Sequence, residues 1–502
     1  MDPIVNALYG NRVVGHMGQT SYVVALLAIS FSYFVWTRYF ALAQKVKAPL
    51  AGSRGWWEPR YLTCLRFYRN ATSIMMDAYG KHRDAVFAIP RSDSDIVVLP
   101  WRYADELSLF SESKMAMRRG LYKNLHGDFT LPESWLQSDI VRRVVKSKLM
   151  TTSPELIASL QDELEFALSV ELPKLKGNEW HEIELSTTTA RIMGRVNGRM
   201  IVGLPLCRDD AWLDFSARSS MKGLQTAVQA RLFPFFPIPI LHLMVPGIFK
   251  LKRYFRHGVE VFTPIVRDRR QKASDNPVEW EKAKPNDFLQ WQLDAAKTKS
   301  ERNPAHIADR QLAAGQASTF SVSVAVTHTL YDIMANPEYL EPLRQEISET
   351  IVGCERLDQK TLATAHRYIN VPITLSDGLH LPVGTRTCLA TYPLSRDPAI
   401  VPNPDIFDGF RYYNKRMASP EAATKNQYVT VSPDTLQFGA GLGACPGRFY
   451  ASNLAKIVLS RFLMEFEMKY PDGQGRPRNL EMQELIFPDP AARILIRRKV
   501  VN

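Results

Sequence analysis

Residues 438 to 449 read FGAGLGACPGRF, one cysteine among four glycines with a proline directly behind it. A cysteine binds a metal or attacks a substrate as the thiolate, and a thiolate needs backbone N–H dipoles or positive charge to hold its pKa down. Both are available here. Gly439, Gly441, Gly443 and Gly447 permit turns that aim N–H groups at the sulfur, and the run GRFYASNLAKIVLSRFLMEF begins just beyond Cys445, setting the positive end of a helix there. Read from the residues alone, Cys445 is either an iron or zinc ligand or a buried cysteine in a glycine turn, since free cysteines are commonly buried. A second stretch with chemical content is AAGQASTFSVS, inside the helical run that follows Ala308. Its small residues make room for a ligand beside the helix and its hydroxyls can relay protons. The plainer alternative is packing, with each serine bonded back to its own turn.

The elements that must position these residues are mostly helical. Helical periodicity dominates from about Pro132 to Glu346, as in SPELIASLQDELEFALSVEL and in DRQLAAGQASTFSVSVAVTHTLYDIMANPEYLEPLRQEI. Extended segments are few: DAVFAIP and DIVVLP near 84 to 100, ITLSDGLHLPVGTRTCLA at 373 to 390 with a turn at Ser376-Asp377-Gly378, and a terminal pair around MKYP and ARILIRRKV. The proline-rich FPFFPIPILHLMVPG at 233 to 247 cannot be a straight helix and reads as an apolar loop. The fold class expected is mainly α with small β-sheets (α+β), in one large domain.

Composition narrows the partners. The chain has 502 residues, with 63 Lys+Arg against 51 Asp+Glu and a formal charge of +12, which suits an acidic partner or an anionic membrane face. Nucleic acid is excluded as the expected partner, because no basic run is interleaved with aromatics. Five cysteines without a CxxC pair argue against a disulfide framework and a zinc knuckle. Met17 to Thr37 carries no charged residue, long enough at about 1.5 Å per residue to cross about 30 Å of hydrocarbon. Arg38, Lys45, Lys47, Arg54 and Arg60 follow it, whereas only Asp2, Arg12 and His16 precede it, so the bulk of the protein is expected on the cytosolic side. The expected organisation is a short lumenal tail (1–19), a transmembrane anchor (20–38), a basic, proline-containing hinge (39–58) and a catalytic domain (59–502).

The spacing Phe438-x-x-Gly441-x-x-x-Cys445-x-Gly447 resembles the haem-binding loop of the cytochrome P450 family, in which the cysteine thiolate is the axial ligand of haem iron. LSRDP at 394 to 398 and NPDIFDGFRYY at 403 to 413 resemble the segments that precede that loop, with Arg411 at the arginine of a PERF-like motif. The wording CPGRFYA, PDIFDGFR and NPEYLEPLRQEI is similar to fungal microsomal members that oxidise terpenoid secondary metabolites. The resemblance implies the cytochrome P450 fold behind one N-terminal transmembrane helix, and haem b (iron protoporphyrin IX) held by Cys445, with Phe438, Gly441 and Gly447 shaping its loop. It also implies electrons from NADPH through cytochrome P450 reductase or cytochrome b5, a lipophilic substrate, and the endoplasmic reticulum membrane as location.

The same resemblance assigns further residues and exposes departures. Counting back from Asn336-Pro337-Glu338 puts Ala317 and Ser318 at the small pair of the oxygen-binding helix, Phe320 where the family has an acid or histidine, and Ser321 at its threonine. Proton delivery then falls to Ser321 and Thr319 with water, while Ala317 and Phe320 line the substrate space. Phe233, Phe235 and Phe236 are further lining candidates. Arg356 falls on the arginine of the family's E-x-x-R and is expected in a structural ion-pair network with Arg411. Gly353 stands where the glutamate belongs, and on the order of 30 residues of connection and helix are missing near 350–356 relative to the pattern. Arg367 is expected at a haem propionate, helped by Arg142 or Arg143, because Leu442 and Gly443 replace a basic pair. Three readings follow: a monooxygenase, a haem-thiolate desaturase or rearrangement enzyme without net oxygen insertion, and a P450-like protein impaired by the missing glutamate.

Overall fold

The computed structural model describes residues 22–33, 46–91, 94–132, 134–150, 152–172, 178–232, 238–349, 367–432 and 436–499. The expectations at Arg356, Gly353, Phe233, Phe235 and Phe236, and the flanks of the expected membrane span, lie outside the described residues.

The organising element is a 32-residue central helix, Pro304–Ala335. Asn303 caps it by accepting from the Ala305 N–H at 2.9 Å, Pro304 occupies the first turn where its missing N–H costs nothing, and Pro337 stands just past the end at Asn336. Around it pack the helices Leu185–Ile201, Gly247–Asp275 and Arg448–Glu465, with Pro154–Glu171 laid against the first of these, and their inward faces form one apolar core. Leu160, Leu164, Ile192, Val196, Val326 and Phe462 are among its fully buried members. The expectation of a helix-rich chain is met over this half.

A five-stranded sheet runs in the order Phe87–Ile89, Ile96–Leu99, Arg386–Leu389, Arg367–Ile369, Met115–Ala116. Its one parallel pair joins Ile96–Leu99 to Arg386–Leu389; the other pairs are antiparallel. A three-stranded sheet places Arg493–Arg498 between His181–Glu184 and Phe466–Lys469. The turn at Ser376-Asp377-Gly378 separates Ile373–Thr374 from His380–Leu381, with Gly378 at φ 90°. Two further features lack the alternation that marks a strand in sequence: the hairpin Leu480–Met482/Leu485–Phe487 and the short strand Met115–Ala116.

The apolar segment after residue 232 departs from the loop expectation. It contains a short helix, Ile238–Met244, and Pro246 then precedes the helix Gly247–Asp275. Pro239 sits in a first helical turn and Pro246 outside the next, the two places where proline is tolerated. Leu243 is 76% exposed there, with Ile240, Met244 and Phe249 also exposed.

Residues 46 to 58 lie against the body. Ala51 donates to the Ala88 carbonyl and Ala88 to the Pro49 carbonyl, both at 2.8 Å, and Glu58 receives the Arg54 N–H, the Thr63 hydroxyl and the Arg66 guanidinium. Helix 22–33 is exposed along its whole length, including Leu26, Leu27, Ile29 and Phe31. Among the described residues no helix is long and apolar enough to cross a membrane.

Candidate active site

The cysteine loop is built tightly around its glycines. Gly439 and Gly441 take φ of 80° and 53°, and a side chain at Gly441 would run into the Ser108 backbone. The Cys445 N–H donates to the Phe438 carbonyl at 2.7 Å, closing the loop, while the Phe438 ring stands edge-on to Tyr428 at 5.2 Å. Gly447 precedes the helix Arg448–Glu465. Arg448 fastens the return of the chain through the carbonyls of Val429 and Cys445, both at 3.1 Å.

Burial pushes the Cys445 thiol above its ordinary pKa, and the N–H groups of Gly447 and Arg448 and the Arg448 charge pull the other way. Such a sulfur is neutral by its own surroundings yet carries backbone donors ready for an anion, so a metal cation is what tips it to thiolate. The cysteine is half-buried, and no group of three or more His, Cys, Asp or Glu that could hold a metal occurs among the described residues. Among the described residues, the Cys445 sulfur alone is the donor set on offer at this loop.

Arginines surround the loop. Arg367, buried on the first residue of its strand, donates to the Ala440 carbonyl at 2.9 Å, and burial lowers its pKa. A Cβ at Gly443 would lie 2.7 Å from an Arg367 guanidinium nitrogen. The missing basic side chain at 443 and the position of Arg367 are therefore linked, because the guanidinium fills the space a larger residue would need. Arg142 donates to the Leu442 carbonyl, whereas Arg143 is committed to Asp139 at 3.0 Å and Glu301 at 2.5 Å. Of the two candidates named from sequence, Arg142 reaches the loop. Arg411 donates to the carbonyls of Pro402, Asn403 and Ile406, bracing its own segment.

On the central helix the chemistry-bearing residues part into two faces. Ala317 and Ser321, one turn apart, are exposed in the middle of an otherwise buried helix, and the Ser321 hydroxyl donates to the Ala317 carbonyl at 2.8 Å. Phe320 packs at 5.6 Å against Phe487 of the hairpin. Thr319, expected to act beside Ser321, does not join it. Two residues along a helix turn about 200°, and Thr319 instead receives the Asn197 side-chain N–H at 2.7 Å. Asn197 also donates to Ser318 at 2.8 Å and accepts from the Tyr450 hydroxyl at 2.9 Å. One amide thus ties the helix after the cysteine to the central helix. The sequence signal for Asn197 was a lone amide on the apolar face formed by Ile192, Met193, Val196 and Met200.

The residues fit a haem-thiolate centre: a loop sulfur served by two backbone donors, Arg367 and Arg142 at the same loop, and a central helix bare at Ala317 and Ser321. Comparison with known proteins agrees. The cytochrome P450 family model matches residues 142–496, and the chain belongs to that family of oxidoreductases. It is 35% identical to a cytochrome P450 monooxygenase of Emericella nidulans, over 96% of this chain and 93% of the relative. It is 33% identical to an ent-kaurene oxidase of Fusarium fujikuroi, over 90% of this chain and 88% of that protein. A cytochrome P450 monooxygenase, paxP, of Penicillium paxilli is 31% identical, over 91% of each chain.

Proposed function

We propose that the protein is a membrane-anchored haem-thiolate monooxygenase that oxidises a lipophilic intermediate of terpenoid type. The observation that carries this reading is the cysteine loop, with the N–H groups of Gly447 and Arg448 at the Cys445 sulfur. Cys445 would hold the haem iron through its sulfur, Phe438, Gly441 and Gly447 shape its loop, and Arg367 with Arg142 would answer the negative charge of the propionates. When bound, haem supplies the activation of O2, so that substrate, O2, two electrons and two protons become hydroxylated substrate and water. The chain's own residues bind, shield and move protons. Ser321 gives its hydrogen to the Ala317 carbonyl, which leaves its lone pairs to order water on the exposed face, and rotation of the hydroxyl passes a proton toward that face. Phe320 and Phe487 make the space beside it apolar, as a hydrocarbon-like substrate requires. The ent-kaurene oxidase relative supports that substrate class.

Electrons come from NADPH through a reductase whose acidic face meets this basic protein, with cytochrome b5 as a second donor. Helix 22–33, apolar and exposed along its length, supports an anchor over 20–38 in the endoplasmic reticulum membrane, and the basic residues after it favour a cytosolic catalytic domain. In Cys445→Ser, purified with haem, the thiolate-type band of the reduced carbon-monoxide complex is expected to vanish together with turnover; an unchanged spectrum removes the assignment. Phe320 in place of an acid favours one alternative, rearrangement or desaturation without oxygen insertion. Product formed under labelled dioxygen decides it: label in the product supports insertion.

A further inference from the structure

The hairpin that carries Phe487 is fastened at its far end in an unusual way. Met482 pairs with Leu485 and Leu480 with Phe487, so the turn is Gln483-Glu484. Gln483 takes φ 57°, where glycine or asparagine is easier. What holds it is its side-chain oxygen, which accepts from both Arg91 and Arg231, while Arg91 also meets Glu484. Both arginines are buried, at 3% and 4% exposure. Arg91 follows the edge strand Phe87–Ile89 and Arg231 lies in the last turn of the helix Asp210–Leu232. The Gln483 N–H adds a bond to the Tyr68 carbonyl at 3.3 Å. Elements from three distant parts of the chain therefore converge on one turn.

Glu484 answers the charge of Arg91, so what the Gln483 amide adds is an acceptor that Arg91 and Arg231 share. What the glutamine supplies is position. With the tip fixed, the hairpin's other end is fixed, and Phe487 rests on Phe320 one residue before Ser321. We propose that Gln483 is a positioning residue which, without touching substrate, sets the size of molecule admitted beside Ser321. The proposal rests on the reading of that face as the substrate space.

The haem-loaded full chain is titrated with imidazole and with the bulkier 4-phenylimidazole, each followed by its shift of the haem Soret band. Gln483→Asn shortens the reach by one methylene, Gln483→Leu removes the acceptor, and Phe487→Ala removes the ring. The expected result is a change of about tenfold in the ratio of the two dissociation constants in all three variants and in the same direction. Gln483→Glu, which keeps the acceptor, retains the wild-type ratio. An unchanged ratio in Gln483→Asn overturns the proposal, as does a parallel fall of both affinities. Should Gln483→Leu not fold, Gln483→Asn decides. Amide hydrogen exchange across 480–487 is expected to quicken in Gln483→Asn while the central helix stays protected, and equal exchange overturns the proposal. The exchange measurement needs no haem, so a missing thiolate-type spectrum would remove the functional reading without obscuring the hairpin result.

Discussion

Asn197 offers the sharpest test of how the cysteine-bearing half is joined to the central helix. Its side chain is fully buried and makes three bonds, to Ser318 at 2.8 Å, to Thr319 at 2.7 Å and from Tyr450 at 2.9 Å. Asn197→Leu removes all three. Ser318 keeps its bond to the Ala314 carbonyl at 2.7 Å, so its hydrogen stays satisfied. The Tyr450 hydroxyl, 2% exposed, loses its acceptor. The stranded Tyr450 donor costs about 1–3 kcal/mol and each of the two other lost neutral bonds about 1 kcal/mol net, giving about 3–5 kcal/mol in all. With an unfolding entropy of about 2.1 cal/mol/K per residue, a body of roughly 450 residues loses about 1 °C of Tm per kcal/mol, or about 3–5 °C here. Tyr450→Phe alone should cost about 1 kcal/mol, because it removes the hydroxyl rather than stranding it. In the double variant the hydroxyl is no longer stranded, so the two effects should fall short of additive by about 1–2 kcal/mol. Melting is followed by circular dichroism at one fixed scan rate for all four proteins. Strict additivity would refute the claim that the amide and the phenol form one unit.

Other consequences are quickly checked. Gly443→Ala sets a methyl group 2.7 Å from the Arg367 guanidinium and should cost about 1–3 kcal/mol in chemical denaturation, with Arg367→Ala relieving most of that loss in the double variant. Asp287 holds Arg269 by two bonds, at 2.7 and 2.6 Å, with both side chains buried, so Asp287→Ala strands a buried cation and should cost about 3–5 kcal/mol by the same assay. Glu58 is held at about 2 against an ordinary 4.5, mainly by its hydrogen bond to Arg66. A depressed carboxylate stabilises fully above the ordinary value and loses that effect as pH falls toward about 2. The wild type should therefore lose more Tm than Glu58→Gln between pH 5 and pH 3, on the order of the unfolded-state titration range.

What sequence could reveal depended on how local the cause was. The glycine loop was legible because each constraint on it, positive φ and the start of a helix after Gly447, acts within a few residues. The end of the central helix was legible too. Pro337 fixes where it ends, and counting back from there puts Ala317 and Ser321 on one face, the pair found exposed. The contact that holds Thr319 was not legible, because its partner Asn197 sits 122 residues away. The arrangement of Gln483 with Arg91 was equally hidden, since those residues stand 392 apart and no pattern in either segment announces the other. Choosing Arg142 over Arg143 needed the structure for a similar reason. Neighbours on one helix point in different directions, and Glu301 had already taken the second.

The parallel pairing of Ile96–Leu99 with Arg386–Leu389 has a consequence for how the molecule is made. The earlier strand leaves the ribosome with its apolar edge bare, and its parallel neighbour follows about 290 residues later, which at about 5–20 residues per second is a delay of roughly 15 to 60 s. The antiparallel Phe87–Ile89 can cover one side at once; the other side stays open to wrong pairing until the second half of the chain arrives. Yield in a foreign host should therefore respond to translation speed across residues 100 to 386.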